Sequence, residues 1–147
     1  MRSSHAWQQR GTTTLWRYTD HQRYYPGWHL SSDAAGCASL QGLIDALLAD
    51  GTGAARTVQV TPPSPSLLAV PNNRRAAWEA PGSVRIGHDA AVDGWVWEHE
   101  GDRAGLRLDA GALALLRQGV DDIAAGRGDH AMGSGAAALW LWWWPSR

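Results

Sequence analysis

The sequence predicts an α+β protein: a mainly antiparallel sheet of five to six strands with two amphipathic helices packed on one face. Two observations carry this. Residues 33–50 and 109–125 repeat apolar side chains at steps of three and four, and each run is bracketed by an aspartate and a glycine, Asp33 with Gly51 and Asp109 with Gly126. The segments around them are short, rich in Val, Thr and Trp, and punctuated by Gly, Pro and Asp, which is the chemistry of strands and turns. At 147 residues the chain suits one domain, large enough to bury about two-thirds of the surface its unfolded form exposes.

Residues 1–11 are polar and read as a disordered segment ahead of a single domain over 12–147. Residues 12–18 follow as a strand with Thr12, Thr14, Trp16 and Tyr18 on one face. Residues 19–27 form a loop that carries His21, Tyr24 and Tyr25 and turns at Pro26-Gly27. In the first helix Cys37, Leu40, Ile44 and Leu47 make the apolar stripe, and Ser31, Ser32 and Asp33 offer helix-capping oxygens. Residues 56–61 are a strand with Val58 and Val60 inward; residues 62–73 hold four of the seven prolines and read as a stiff, extended connector.

Residues 83–89, 95–100 and 105–108 read as an antiparallel meander. Symmetric turns place Arg85, Glu98 and Arg107 together on a solvated face, with Ile86, Trp97 and Leu108 on the opposite, buried one. The second helix carries Leu113, Leu116, Val120 and Ile123 on one stripe. Gly119 inside it costs about 1 kcal/mol relative to alanine and marks close packing against another backbone. No internal repeat is evident.

The chain closes on Leu139-Trp140-Leu141-Trp142-Trp143-Trp144. As a strand it sends Leu139, Leu141 and Trp143 to one face and Trp140, Trp142 and Trp144 to the other. Both faces need cover, so either this strand is buried on both sides or one tryptophan face is offered to a ligand, a partner chain or a second copy. A place beside the meander leaves a mismatch, because a polar outer face adjoins alternate tryptophans.

Composition narrows the function classes. Net charge is −1 and the thirteen arginines, with no lysine, are scattered, so there is no footprint for nucleic acid or an anionic membrane. The polar N-terminus lacks the apolar core of a secretory signal, and no apolar run approaches the roughly 20 residues that span a bilayer. The lone Cys37 excludes an intramolecular disulfide and a multi-cysteine zinc site, and the expected compartment is the cytoplasm. There is no HExxH, no Gly-x-Ser-x-Gly and no phosphate loop with its lysine. In Trp97-Glu98-His99-Glu100 the glutamates face away from the histidine, so the three cannot hold one ion in a strand. No cofactor or metal is expected.

What remains is a small soluble protein of bacterial type, read as a non-enzymatic binding or interaction module that uses aromatic surface and self-associates as a homodimer or meets a protein partner. Its candidate binding residues are Tyr24, Tyr25, Trp28 and His29 in and after the loop, and Trp140, Trp142 and Trp144 at the C-terminal end. The alternative is a small enzyme or ligand-binding protein whose small-molecule pocket is lined by tryptophan and by histidines such as His21, His29 and His130.

Overall fold

The computed structural model describes residues 3–19, 26–71, 76–127 and 129–145. In chain order the elements are α1 (Ser3–Ala6), β1 (Thr13–Tyr18), β2 (Trp28–Ser32), α2 (Ala34–Asp50), β3 (Ala55–Gln59), α3 (Pro65–Leu68), β4 (Trp78–Glu79), β5 (Ser83–His88), β6 (Trp95–Glu100), β7 (Arg103–Leu108), α4 (Ala110–Ala124), β8 (Asp129–Met132) and β9 (Leu139–Trp142), with a 3-10 turn at Gly135–Ala137. The chain is α+β, but the single sheet with two helices is overturned. Among the described residues there are four α-helices and two sheets, ordered β4-β1-β2-β9-β8 and β3-β5-β7-β6.

Both long helices form where capping and period place them. Asp33 accepts from the Gly36 N–H and Asp109 from the Ala112 N–H, and Gly51 ends α2 at φ +87, which glycine adopts without steric cost. The two short helices follow from local chemistry. Pro65 occupies the first turn of α3, where its missing N–H is no loss, behind the Ser64 cap; this breaks the extended connector expected there. In the segment expected to be disordered, α1 lies against α2: Ser4 donates to the Asp50 carboxylate, and the Trp7 indole donates to the Ser39 carbonyl at 2.7 Å.

The expected meander is corrected as well. β6 and β7 are an antiparallel hairpin through Gly101-Asp102, but β7 lies between β5 and β6 and runs parallel to β5. The longer connection over residues 89–94 lets the chain step past the place that β7 takes. β9 sits in the other sheet, between β2 (parallel) and β8 (antiparallel). This resolves the mismatch, since the tryptophan face of β9 continues the aromatic face of β1 and β2, and the charged face belongs to another sheet.

The two sheets are built by one path taken twice. β1-β2-α2-β3-β5 and β6-β7-α4-β8-β9 each run hairpin, helix, hairpin. Each half places its first hairpin in one sheet and its second in the other, so β2 pairs parallel with β9 as β7 pairs parallel with β5. The helices superpose in sequence at an offset that takes Asp33 to Asp109, Cys37 to Leu113, Leu40 to Leu116, Ile44 to Val120 and Leu47 to Ile123, the apolar members all buried. One hydrophobic cluster fills the space between the inner sheet faces and these helices, including Leu15, Leu30, Leu139 and Leu141 from one sheet and Val58, Val84, Ile86 and Leu106 from the other.

Candidate functional site

Alternation along the strands gives each sheet an outer face, and the equivalent positions on the two faces carry opposite chemistry. On the first sheet Trp16, Tyr18, His29, Trp140 and Trp142 stand together. His29 is fully buried, stacked on Trp16 at 5.3 Å between ring centroids, and its Nδ1 accepts the Trp142 indole N–H at 2.9 Å. That bond leaves the His29 proton on Nε2. The described part of the connection between β3 and β5 closes over this layer: Leu67 and Leu68 of α3 pack on it with Val70, and Trp144 joins the same cluster.

This placement decides what the candidate binding residues can do as surface. Trp28, His29 and Trp142 are buried, whereas Trp140 and Trp144 are half-buried. Trp140 donates its indole N–H to the Pro26 carbonyl at 3.0 Å. Tyr24 and Tyr25, like His21, lie outside the described residues, as does the His130 side chain. Trp28 stacks on Trp97 at 5.2 Å between ring centroids and has the Arg17 guanidinium 4.7 Å from its own ring centroid, so it joins the two sheets. Trp95 and Trp97 both donate to the Ala137 carbonyl, which has two lone pairs to offer. The tryptophan cluster is therefore largely a structural layer.

On the outer face of the second sheet the positions equivalent to His29 and Trp142 are Gly105 and Gly87, and those equivalent to Trp16 and Trp140 are Glu98 and Arg85. Two side chains are missing from the middle of the sheet and charged ones stand at its sides. The result is an open groove of about 370 Å³ that runs from the Gly53 turn after α2 across Gly87 and Gly105. A Cβ on Gly105 would come within 3.3 Å of Glu98 Oε1, and one on Gly87 within 3.2 Å of the Ala55 Cβ.

The groove is polar and ordered on one side. Arg107 spans two carboxylates, Asp89 at 2.8 Å and Glu98 at 3.4 Å. The Ala91 N–H and then Arg107 hold the Asp89 carboxyl below its usual range, and the Asp89 hydrogen bond raises Arg107 further. Glu98 thus pairs with Arg107 rather than lying between two guanidinium groups. Arg85, across Gly105, is exposed and has no ion pair or hydrogen bond among the described residues. At the rim the His88 Nδ1–H donates to the Leu47 carbonyl at 3.0 Å, which fixes the ring.

A scan against protein-family models finds no match for the chain, and searches of curated proteins and of solved structures find none either.

The groove also bears on which chemistries are present. Among the described residues no three His, Cys, Asp or Glu side chains converge in a way that could hold a metal ion. Cys37 is buried against the Ser32 carbonyl, and burial pushes its thiol up to about 11, the opposite of an activated nucleophile. Gly87 and Gly105 fall inside two strands that the sequence predicts, where a residue without a side chain offers no chemistry to single out. The signal was their spacing, two residues from Arg85 and from Arg107, which puts both on the charged face.

Proposed function

We propose that this protein is a non-enzymatic binding module, working in the cytoplasm, whose groove between Arg85 and Glu98 takes a small ligand bearing a carboxylate or phosphate. The observation that carries the reading is Arg85: an exposed guanidinium with no partner among the described residues, beside a glycine-floored depression. An arginine offers a planar fork that matches either anion. The neighbouring Arg107 is already engaged by two carboxylates, so it shapes the wall and leaves the free positive charge to Arg85. The reading keeps the small-molecule ligand expected from the sequence and moves it from the tryptophans to the second sheet.

The test is a thermal-shift screen of small carboxylates and phosphates on wild type, Arg85→Ala and Gly105→Val. Hits that raise the melting temperature of wild type, spare both variants and are recovered chemically unchanged support the reading. Hits that stabilise all three proteins alike place binding elsewhere, and turnover of a hit overturns the non-enzymatic assignment.

A second reading, self-association through aromatic surface, is favoured by Trp78 and Trp143, each 37% exposed. Size-exclusion chromatography with light scattering on wild type and Trp143→Arg tests it; a monomeric wild type ends it.

A further inference from the structure

Among the described residues, the outer edge of β6, the last strand of the second sheet, has no paired strand. The Asp109 N–H bonds to the Gly94 carbonyl, and the Asp89 N–H takes the Leu108 carbonyl on the far side of β7. With the register Trp95 to Leu108 through Glu100 to Arg103, the hydrogen-bonded pairs fall on Val96, Glu98 and Glu100. The N–H and C=O groups of Trp95, Trp97 and His99 therefore point away from β7. No hydrogen bond from a described residue reaches them.

The other half of the same path shows what such an edge accepts. β1 is the equivalent of β6, and its outer edge is occupied: Trp78–Glu79 of β4 pairs antiparallel with Arg17 and Tyr18, and Thr61 bonds to the Thr13 carbonyl at 2.9 Å. A charge pair accompanies that pairing, with Glu79 meeting Arg17 at 2.6 Å. The occupant comes from the long connection between β3 and β5. Its counterpart between β8 and β9 is residues 133–138, taken up by the 3-10 turn and by carbonyl bonds to Trp95 and Trp97, and it supplies no strand.

We propose that the free edge of β6 binds an extended segment of a partner polypeptide, antiparallel, with lysine or arginine opposite Glu98 and Glu100 and an apolar residue opposite Val96. The positions that carry Trp16 and Tyr18 on β1 carry Glu98 and Glu100 here, both exposed, and Val96 between strand end and glutamates is 37% exposed. Carboxylates along an edge repel an acidic strand, find no partner on a neutral one and pair with a basic one. They also disfavour a second copy of this chain, since self-pairing centred on Glu98 or His99 sets glutamate against glutamate.

The probe is a capped peptide, Thr-Lys-Thr-Lys-Thr-Val-Thr, with a control carrying glutamate for lysine, and the readout is amide hydrogen exchange. The lysine peptide is expected to slow exchange at Trp95, Trp97 and His99 on the order of tenfold at saturation, while the glutamate peptide leaves it unchanged. The Glu100→Lys variant, altered at one exposed side chain outside the groove lining, is expected to weaken the preference for the lysine peptide. Absence of protection with either peptide overturns the proposal, as does equal protection by both, protection confined to β8, or protection by the protein's own dimerisation without peptide. The groove reading stands or falls separately, because Arg85→Ala leaves this edge intact and Glu100 lies outside the groove lining.

Discussion

Gly119 of α4 packs against Leu141 of β9 so closely that a Cβ on the glycine would overlap the Leu141 Cδ1. Leu141 is fully buried and has nowhere to move. Replacing a helical glycine with alanine ordinarily gains about 1 kcal/mol. Here Gly119→Ala is expected to lose about 1–3 kcal/mol through overpacking. Leu141→Ala alone is expected to cost about 2–5 kcal/mol, and the double variant less than the sum, with a coupling of about 0.5–3 kcal/mol. Denaturant unfolding of the four proteins measures this, and additive costs would show that the helix and the terminal strand are not in contact.

The two helix caps look alike in sequence and should respond differently to the same change. Asp33 accepts the Thr12 and Gly36 N–H groups on a single oxygen, Oδ1, whereas Asp109 uses Oδ1 for Ala112 and Oδ2 for Gly94. Asparagine keeps one acceptor oxygen. Asp33→Asn is therefore expected to cost less than about 0.5 kcal/mol, while Asp109→Asn turns an amide donor towards the Gly94 N–H and lowers the melting temperature clearly more.

Acidity gives a second readout on the same cap. The Ala112 and Gly94 N–H groups hold the Asp109 carboxyl below its ordinary value. A carboxyl that is more acidic folded than unfolded contributes stability fully above the ordinary carboxylate range and loses it as pH falls through its folded value. Stability of the wild type should fall below about pH 4, and Asp109→Asn should flatten that limb. An unchanged acid limb in the variant would remove Asp109 from the account.

The Cys37 thiol, at about 11, is expected to be inert in the native protein. At pH 8 roughly one molecule in a thousand would carry the thiolate even with open access, and the side chain is 1% exposed. An aromatic disulfide reagent should label one thiol in denaturant and react natively only at the rate of unfolding. Rapid native labelling would show that the first helix opens locally.

The helices were legible because cap, period and stop agree at Asp33, Leu40, Leu47 and Gly51. Six strands, β1, β3, β5, β6, β7 and β9, were legible by alternation, and so was the shared charged face of Arg85, Glu98 and Arg107; β2, β4 and β8 were not. Strand order was not. A parallel neighbour such as β7 beside β5 depends on where a connection crosses, and the run from 89 to 94 reads equally as a hairpin loop. The repeated path was hidden because its halves share only apolar character inside, as with Ile44 and Val120, and differ in polarity outside, as with Trp16 and Glu98. The groove was hidden for the same reason: Gly105 acquires meaning beside its counterpart His29, which no linear reading aligns with it.

Gly105 gives the most discriminating substitution. A glycine inside a strand costs chain entropy and gives up side-chain packing, so Gly105→Val is expected to stabilise the fold by about 0.5–1 kcal/mol. The added Cβ would sit 3.3 Å from Glu98 Oε1, the end of an exposed side chain that can swing aside. Gly87 differs, because its nearest neighbour is the Ala55 Cβ at 3.2 Å on the paired strand β3, and Gly87→Val should not stabilise. Thermal unfolding of both variants checks the pair. The valine that strengthens β7 also fills the floor beside Arg85, so gain in melting temperature and loss of ligand response should appear in the same protein.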